Sequence, residues 1–83
     1  MAGRSYSIGN ELTVGRSAGC TITLDDTYVS QIHARVTRAD TGVVLEDLGS
    51  TNGTYLNRQR VATPVMMAIG DLFQVGSTVM ELR

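Results

Sequence analysis

The sequence predicts an all-β protein, an antiparallel β-sandwich of about ten to eleven short strands. Three observations predict it. Apolar and polar residues alternate over short runs, as a strand with one buried face requires, while helical spacing is nearly absent. Turn pairs such as Gly9–Asn10, Asn52–Gly53 and Gly76–Ser77 separate the runs. The chain has 83 residues, one small domain whose elements must be short.

The elements follow in order. Ser5–Ile8 is a candidate strand, closed by the Gly9–Asn10 turn, and Leu12–Val14 follows and ends at Gly15. Thr21–Leu24 alternates polar and apolar. His33–Thr37 places Ala34 and Val36 on one face and His33 and Arg35 on the other. After the turn residues Asp40–Thr41–Gly42 comes Val43–Leu48, mainly apolar, and then the short Thr54–Leu56. Pro64 lies in an irregular stretch, where it costs no ladder bond. Val65–Ile69 is a loop or short strand, with Met66 and Met67 expected to fill the core. Leu72–Val75 and Thr78–Leu82, joined by Gly76–Ser77, form a closing hairpin. No repeat, low-complexity tract or linker interrupts residues 1–83, a single domain expected to come from a longer protein.

Charge and cysteine content exclude several functions. Seven basic residues, all arginine, face eight acidic ones, for a net charge of −1. A duplex-binding module needs a clear basic excess, so nucleic acid is not the expected partner. No apolar run approaches the roughly 20 residues that span a bilayer, and no signal peptide opens the chain. A cytoplasmic domain without direct membrane contact is expected, although its parent protein could be membrane-tethered. Cys20 is the only cysteine, which leaves no internal disulfide and no cysteine metal cluster; a small buried hydrophobe is expected there. No metal site and no cofactor are expected.

Three loops hold the residues that simple strand chemistry leaves unexplained. In Gly15–Arg16–Ser17–Ala18–Gly19, Gly15 permits a tight backbone and Arg16 carries a guanidinium, whose donor fork grips phosphate at two points. In Ser30–Gln31–Ile32–His33, a hydroxyl and neighbouring amides can donate to an anion. In Asp47–Leu48–Gly49–Ser50–Thr51–Asn52–Gly53–Thr54, a hairpin turn accounts for Asn52–Gly53 but not for the hydroxyls around it. A hydrolase using Ser30, His33 and Asp47 has residue type as its only support. No nucleophile elbow surrounds Ser30, and a packed His33 that holds the loop is the preferred reading. The Asp25–Asp26 pair is read as solvated loop residues rather than a cation site.

Taken together, the ordered set Gly15–Arg16, Ser30-x-x-His33 and Ser50–Thr51–Asn52–Gly53–Thr54 resembles the forkhead-associated (FHA) domain, closest in appearance to small actinobacterial, mycobacterial-type FHA proteins. Ile69–Gly70–Asp71 and Gln74–Val75–Gly76 look like its closing strands. The resemblance implies the FHA/SMAD-like sandwich, with a first strand short or missing, and no enzymatic activity. It implies a module that binds phosphothreonine peptides in Ser/Thr kinase signalling, the partner being a kinase or a kinase substrate. By resemblance, Arg16, Ser30, Gln31 and Thr51 contact phosphate, Asn52 bonds the peptide backbone, and Tyr28 reads flanking sequence. Gly15, His33 and Gly53 hold the loops. Many members carry a basic residue between the serine and the histidine; here Gln31 and Ile32 stand there, so a modest, roughly micromolar affinity is expected. The alternative is an interaction module indifferent to phosphorylation.

Overall fold

The computed structural model of the chain describes residues 11–82. Within them nine strands follow one another: β1 (Glu11–Gly15), β2 (Ile22–Thr23), β3 (Ala34–Ala39), β4 (Gly42–Asp47), β5 (Thr54–Leu56), β6 (Gln59–Arg60), β7 (Val65–Met67), β8 (Leu72–Val75) and β9 (Thr78–Glu81). The expected Ser5–Ile8 strand, the Gly9–Asn10 turn and the short or missing first strand lie outside the described residues. One sheet has the order β2-β1-β3-β4-β7 and the other β6-β5-β8-β9.

Alternation builds the sandwich, because successive side chains of a strand face opposite sides. On β1, Leu12 and Val14 turn inward; on β3, Ala34 and Val36 do; on β8, Phe73 and Val75 do. They meet Leu45, Met67, Met80 and Leu82 in one apolar cluster. Each fully buried aliphatic side chain contributes about 1.5–3 kcal/mol relative to exposure. Cys20 is buried, as expected, with its thiol against the Gln31 carbonyl at 3.4 Å.

Three local expectations are corrected. The sandwich is not antiparallel throughout: β2 runs parallel to β1, with Val14 opposite Ile22. Parallel neighbours usually need a long crossover. Here side chains bring the short loop back: the Thr13 and Thr21 amides each donate to the other residue's hydroxyl, at 3.2 and 3.0 Å. The Leu24 amide then donates to the Gly15 carbonyl at 2.8 Å, holding the strand alongside. Met67 fills the core, but Met66, its neighbour on β7, points out and is 51% exposed. Strand β6 has no expected counterpart. Its hairpin with β5 turns through Asn57 and Arg58, both at positive φ (46° and 73°), so the turn lacks the glycine that announces such hairpins. Asn57 is also held from outside: its amide donates to the Leu72 carbonyl and its Oδ1 accepts from the Leu72 amide.

Candidate functional site

Strand direction gathers the three loops at one end. Strand β3 runs antiparallel to both β1 and β4, with Ala34 opposite Val14 on one side and Asp47 on the other. The end of β1, the start of β3 and the end of β4 therefore coincide. The Gly15–Gly19 loop, the Tyr28–His33 segment and the Leu48–Gly53 loop emerge together.

Hydrogen bonds lock these loops to one another. The Arg16 and Ser17 amides donate to the Ser30 and Gln31 carbonyls, both at 3.0 Å. This approach needs Gly15: a Cβ there would stand 2.2 Å from the Gln31 carbonyl oxygen and 2.9 Å from the Cys20 sulfur. The Thr51 amide donates to Ser30 Oγ at 3.1 Å, which leaves the hydroxyl proton of Ser30 able to donate outward. Asn52 Nδ2 donates to the Tyr28 carbonyl at 2.8 Å.

His33 joins the second and third loops from inside and is 0% exposed. Its Nδ1 accepts the Ser30 amide at 3.0 Å, so the ring proton sits on Nε2, which donates to the Gly53 carbonyl at 2.8 Å. Both ring nitrogens are thus occupied by backbone. Neither addresses Ser30 Oγ, which makes the Ser30–His33 nucleophile–base arrangement a poor description of these residues.

Asp47 organises the third loop. Its carboxylate accepts from the Gly49 and Ser50 amides, each at 3.1 Å, from the Ser50 hydroxyl, and from the Thr54 hydroxyl at 2.7 Å. Ser50 Oγ in turn accepts the Gly53 amide at 2.9 Å. Burial pushes the Asp47 carboxyl up, but the hydrogen bonds from Ser50 and Thr54 outweigh it and hold it below the ordinary carboxylate range. Ser50 and Thr54 are therefore spent on the turn. Sequence reasoning missed this use of Asp47; the Asp-x-x-Ser spacing of a side-chain-capped turn was its available signal.

The side chains of Arg16, Gln31, Thr51 and Asn52 are exposed beside this framework, and Ser30 is half-buried. The loops that carry this guanidinium, these hydroxyls and these amides therefore meet at one end of the sandwich, and all three are groups able to hold an anion. A second guanidinium stands nearby: Arg60 of β6 packs on Gly53, so that a Cβ at Gly53 would lie 3.1 Å from it. Gly53 also has φ +87°, the left-handed region. Arg60 was missed because nothing in its local sequence carries a motif. Tyr28, 62% exposed, borders a 360 Å³ hollow shared with Asp25, Asp26, Thr27, Ser77 and Thr78. Asp26 is not a solvated loop residue as expected: it is 8% exposed and turned inward. Among the described residues no three His, Cys, Asp or Glu side chains group as metal ligands, and no helix is long and apolar enough to cross a membrane.

The fold and the loop constellation define an FHA domain. The FHA domain family model matches residues 12–76, and the chain belongs to that family. It is 44% identical over 84 residues to the FHA domain-containing protein FhaB of Mycolicibacterium smegmatis, covering 100% of this chain and 54% of FhaB. The chain thus spans about half the length of the curated relatives it matches. Among solved structures, it is similar to EmbR of Mycobacterium tuberculosis in complex with a low-affinity phosphopeptide, with a TM-score of 0.76 and 30% identity over 80% of this chain and 17% of EmbR. It is also similar to the N-terminal FHA domain of Rad53p from S. cerevisiae in complex with a phosphothreonine peptide, with a TM-score of 0.72 and 33% identity over 80% of this chain and 56% of that one.

Proposed function

We propose that this domain binds phosphothreonine-containing segments of partner proteins through the three joined loops, without catalysing a reaction. The observation that carries the reading is the hydrogen-bonded meeting of the Arg16, Ser30 and Thr51 loops at one end of the sandwich. The complexes of EmbR and Rad53p with phosphorylated peptides support it by similarity.

A phosphothreonine brings about −1.5 to −2 charges and three strong acceptors. In this reading the Arg16 guanidinium, the Ser30 and Thr51 hydroxyls and the Gln31 side chain or amide surround the phosphate. Each charge-assisted hydrogen bond contributes about 1.5–3 kcal/mol, and ordering the peptide offsets part of the gain. The expected affinity is micromolar, about −8 kcal/mol. Asn52 holds the peptide backbone, and Tyr28 with its adjoining hollow meets the flanking residues. Gly15, His33 and Gly53 hold the loops rather than touch ligand. The domain then acts where a Ser/Thr kinase marks its partner, in the cytoplasm.

A phosphopeptide array, run with phosphorylated and unphosphorylated versions of each peptide, tests this. Binding that depends on phosphothreonine is expected. Equal binding after phosphatase treatment would instead favour phosphorylation-independent docking, for which the exposed Ile32 beside the site offers an apolar contact.

A further inference from the structure

We infer that Asp26 is a positioning residue that ties the turn between β8 and β9 to the peptide-gripping half of the site, Tyr28 and Asn52. The inference deepens the phosphopeptide reading and rests on it.

The Asp26 carboxylate has four donors. Oδ1 accepts the Tyr28 amide at 2.9 Å. Oδ2 accepts the Ser77 amide at 2.8 Å, the Ser77 hydroxyl at 2.7 Å and the Thr78 hydroxyl at 3.0 Å. Ser77 lies in the turn between β8 and β9 of the second sheet and Thr78 opens β9, while Asp26 lies between β2 and β3 of the first. One buried carboxylate therefore fastens the two sheets at the end that bears the loops. Gly76 makes room for it: with φ +57°, its absent Cβ would stand 2.7 Å from Val29 Cγ2 and 3.0 Å from Asp26 Oδ2.

Tyr28 is gripped on both sides of its backbone, at N–H by Asp26 and at C=O by Asn52. Moving the carboxylate shifts Tyr28, and with it the anchor that fixes how the Asn52 amide presents its remaining polar atoms. The phosphate side stands on other bonds: Arg16 N–H to Ser30 C=O, Thr51 N–H to Ser30 Oγ, and Ser30 N–H to His33. The Val29 amide reaches the backbone carbonyl of Asp26, which a side-chain change leaves in place. Asp26 thus governs how flanking residues are read, while phosphate recognition is anchored separately.

The test compares wild type with Asp26→Asn on the same nonapeptide array, with folding checked by circular dichroism and an amide NMR spectrum. Asn keeps the size of the side chain but turns a donor toward groups that themselves donate. For the tightest nonapeptide the dissociation constant rises about tenfold, equivalent to about 1.4 kcal/mol. The spread of affinities across flanking sequences narrows, the preference for phosphorylated over unphosphorylated peptide persists, and the Asn52 side-chain amide resonances move. Ser77→Ala combined with Thr78→Val removes the two hydroxyl donors at a distance from the peptide and shifts the same readouts the same way; it decides the matter if Asp26→Asn does not fold. Unchanged affinity and flank preference overturn the inference. So does a uniform loss across all peptides with flank preference intact, because that is what a purely structural residue produces. Wild type that binds no phosphothreonine peptide removes the phosphopeptide reading itself, and is told apart because wild type is measured in the same array.

Discussion

Replacing His33 by alanine tests the physics of the loop framework most directly. The imidazole is fully buried and its two nitrogens serve two loops, Ser30 N–H at 3.0 Å and Gly53 C=O at 2.8 Å. Alanine leaves both backbone groups without their partners. Each buried group so orphaned costs about 1–3 kcal/mol, and water entering at the loop end of the sandwich favours the lower part of that range. The cavity left by the ring adds to it, for about 3–5 kcal/mol together. A domain of this size has about 4–12 kcal/mol in all, so the variant sits near the edge of folding. Urea unfolding followed by circular dichroism gives the stability loss, and hydrogen exchange at the Ser30 amide gives its local origin. A loss under about 1 kcal/mol, with Ser30 protection unchanged, would refute the assignment of His33 as the tie between these loops.

Four other perturbations have defined outcomes. Arg16→Ala, at an exposed position, weakens phosphothreonine-peptide binding at least about tenfold by calorimetry and leaves the unfolding midpoint near wild type. Gly15→Ala drives a Cβ into the Gln31 carbonyl and lowers stability by about 2–4 kcal/mol in thermal or urea unfolding. Arg58→Gly relieves a left-handed residue in an exposed hairpin turn; less the entropy glycine costs, it raises stability by a few tenths to about 1 kcal/mol in the same assay. The Ser77 hydroxyl, foremost among its donors, holds the Asp26 carboxyl at about 2, below its ordinary 3.8. Because the folded value is depressed, the stabilisation is complete above pH 3.8 and is lost as pH falls through about 2. The acid-unfolding curve of Asp26→Asn lacks that component over the same window.

Strand positions were legible in the sequence where the signal is local. Leu12 and Val14, and Ala34 and Val36, alternate with polar neighbours, Phe73 and Val75 flank the polar Gln74, and the pleat turns that alternation directly into an inner and an outer face. The glycine and hydroxyl content of the three loops likewise marked them as unusual before any fold was known. Tertiary structure decided what lies next to what. The parallel return of β2 depends on Thr13 meeting Thr21, and Arg60 becomes a neighbour of Gly53 only once β6 folds back on β5. Asp26 is the sharpest case: by sequence it is one of two adjacent acids in a loop, while its donors Ser77 and Thr78 lie 51 and 52 residues further on. Periodicity reports which side of a strand a residue faces, a property of the dipeptide geometry. The identity of a partner depends on which strands pair across the whole chain, and that is settled by the burial of a common core.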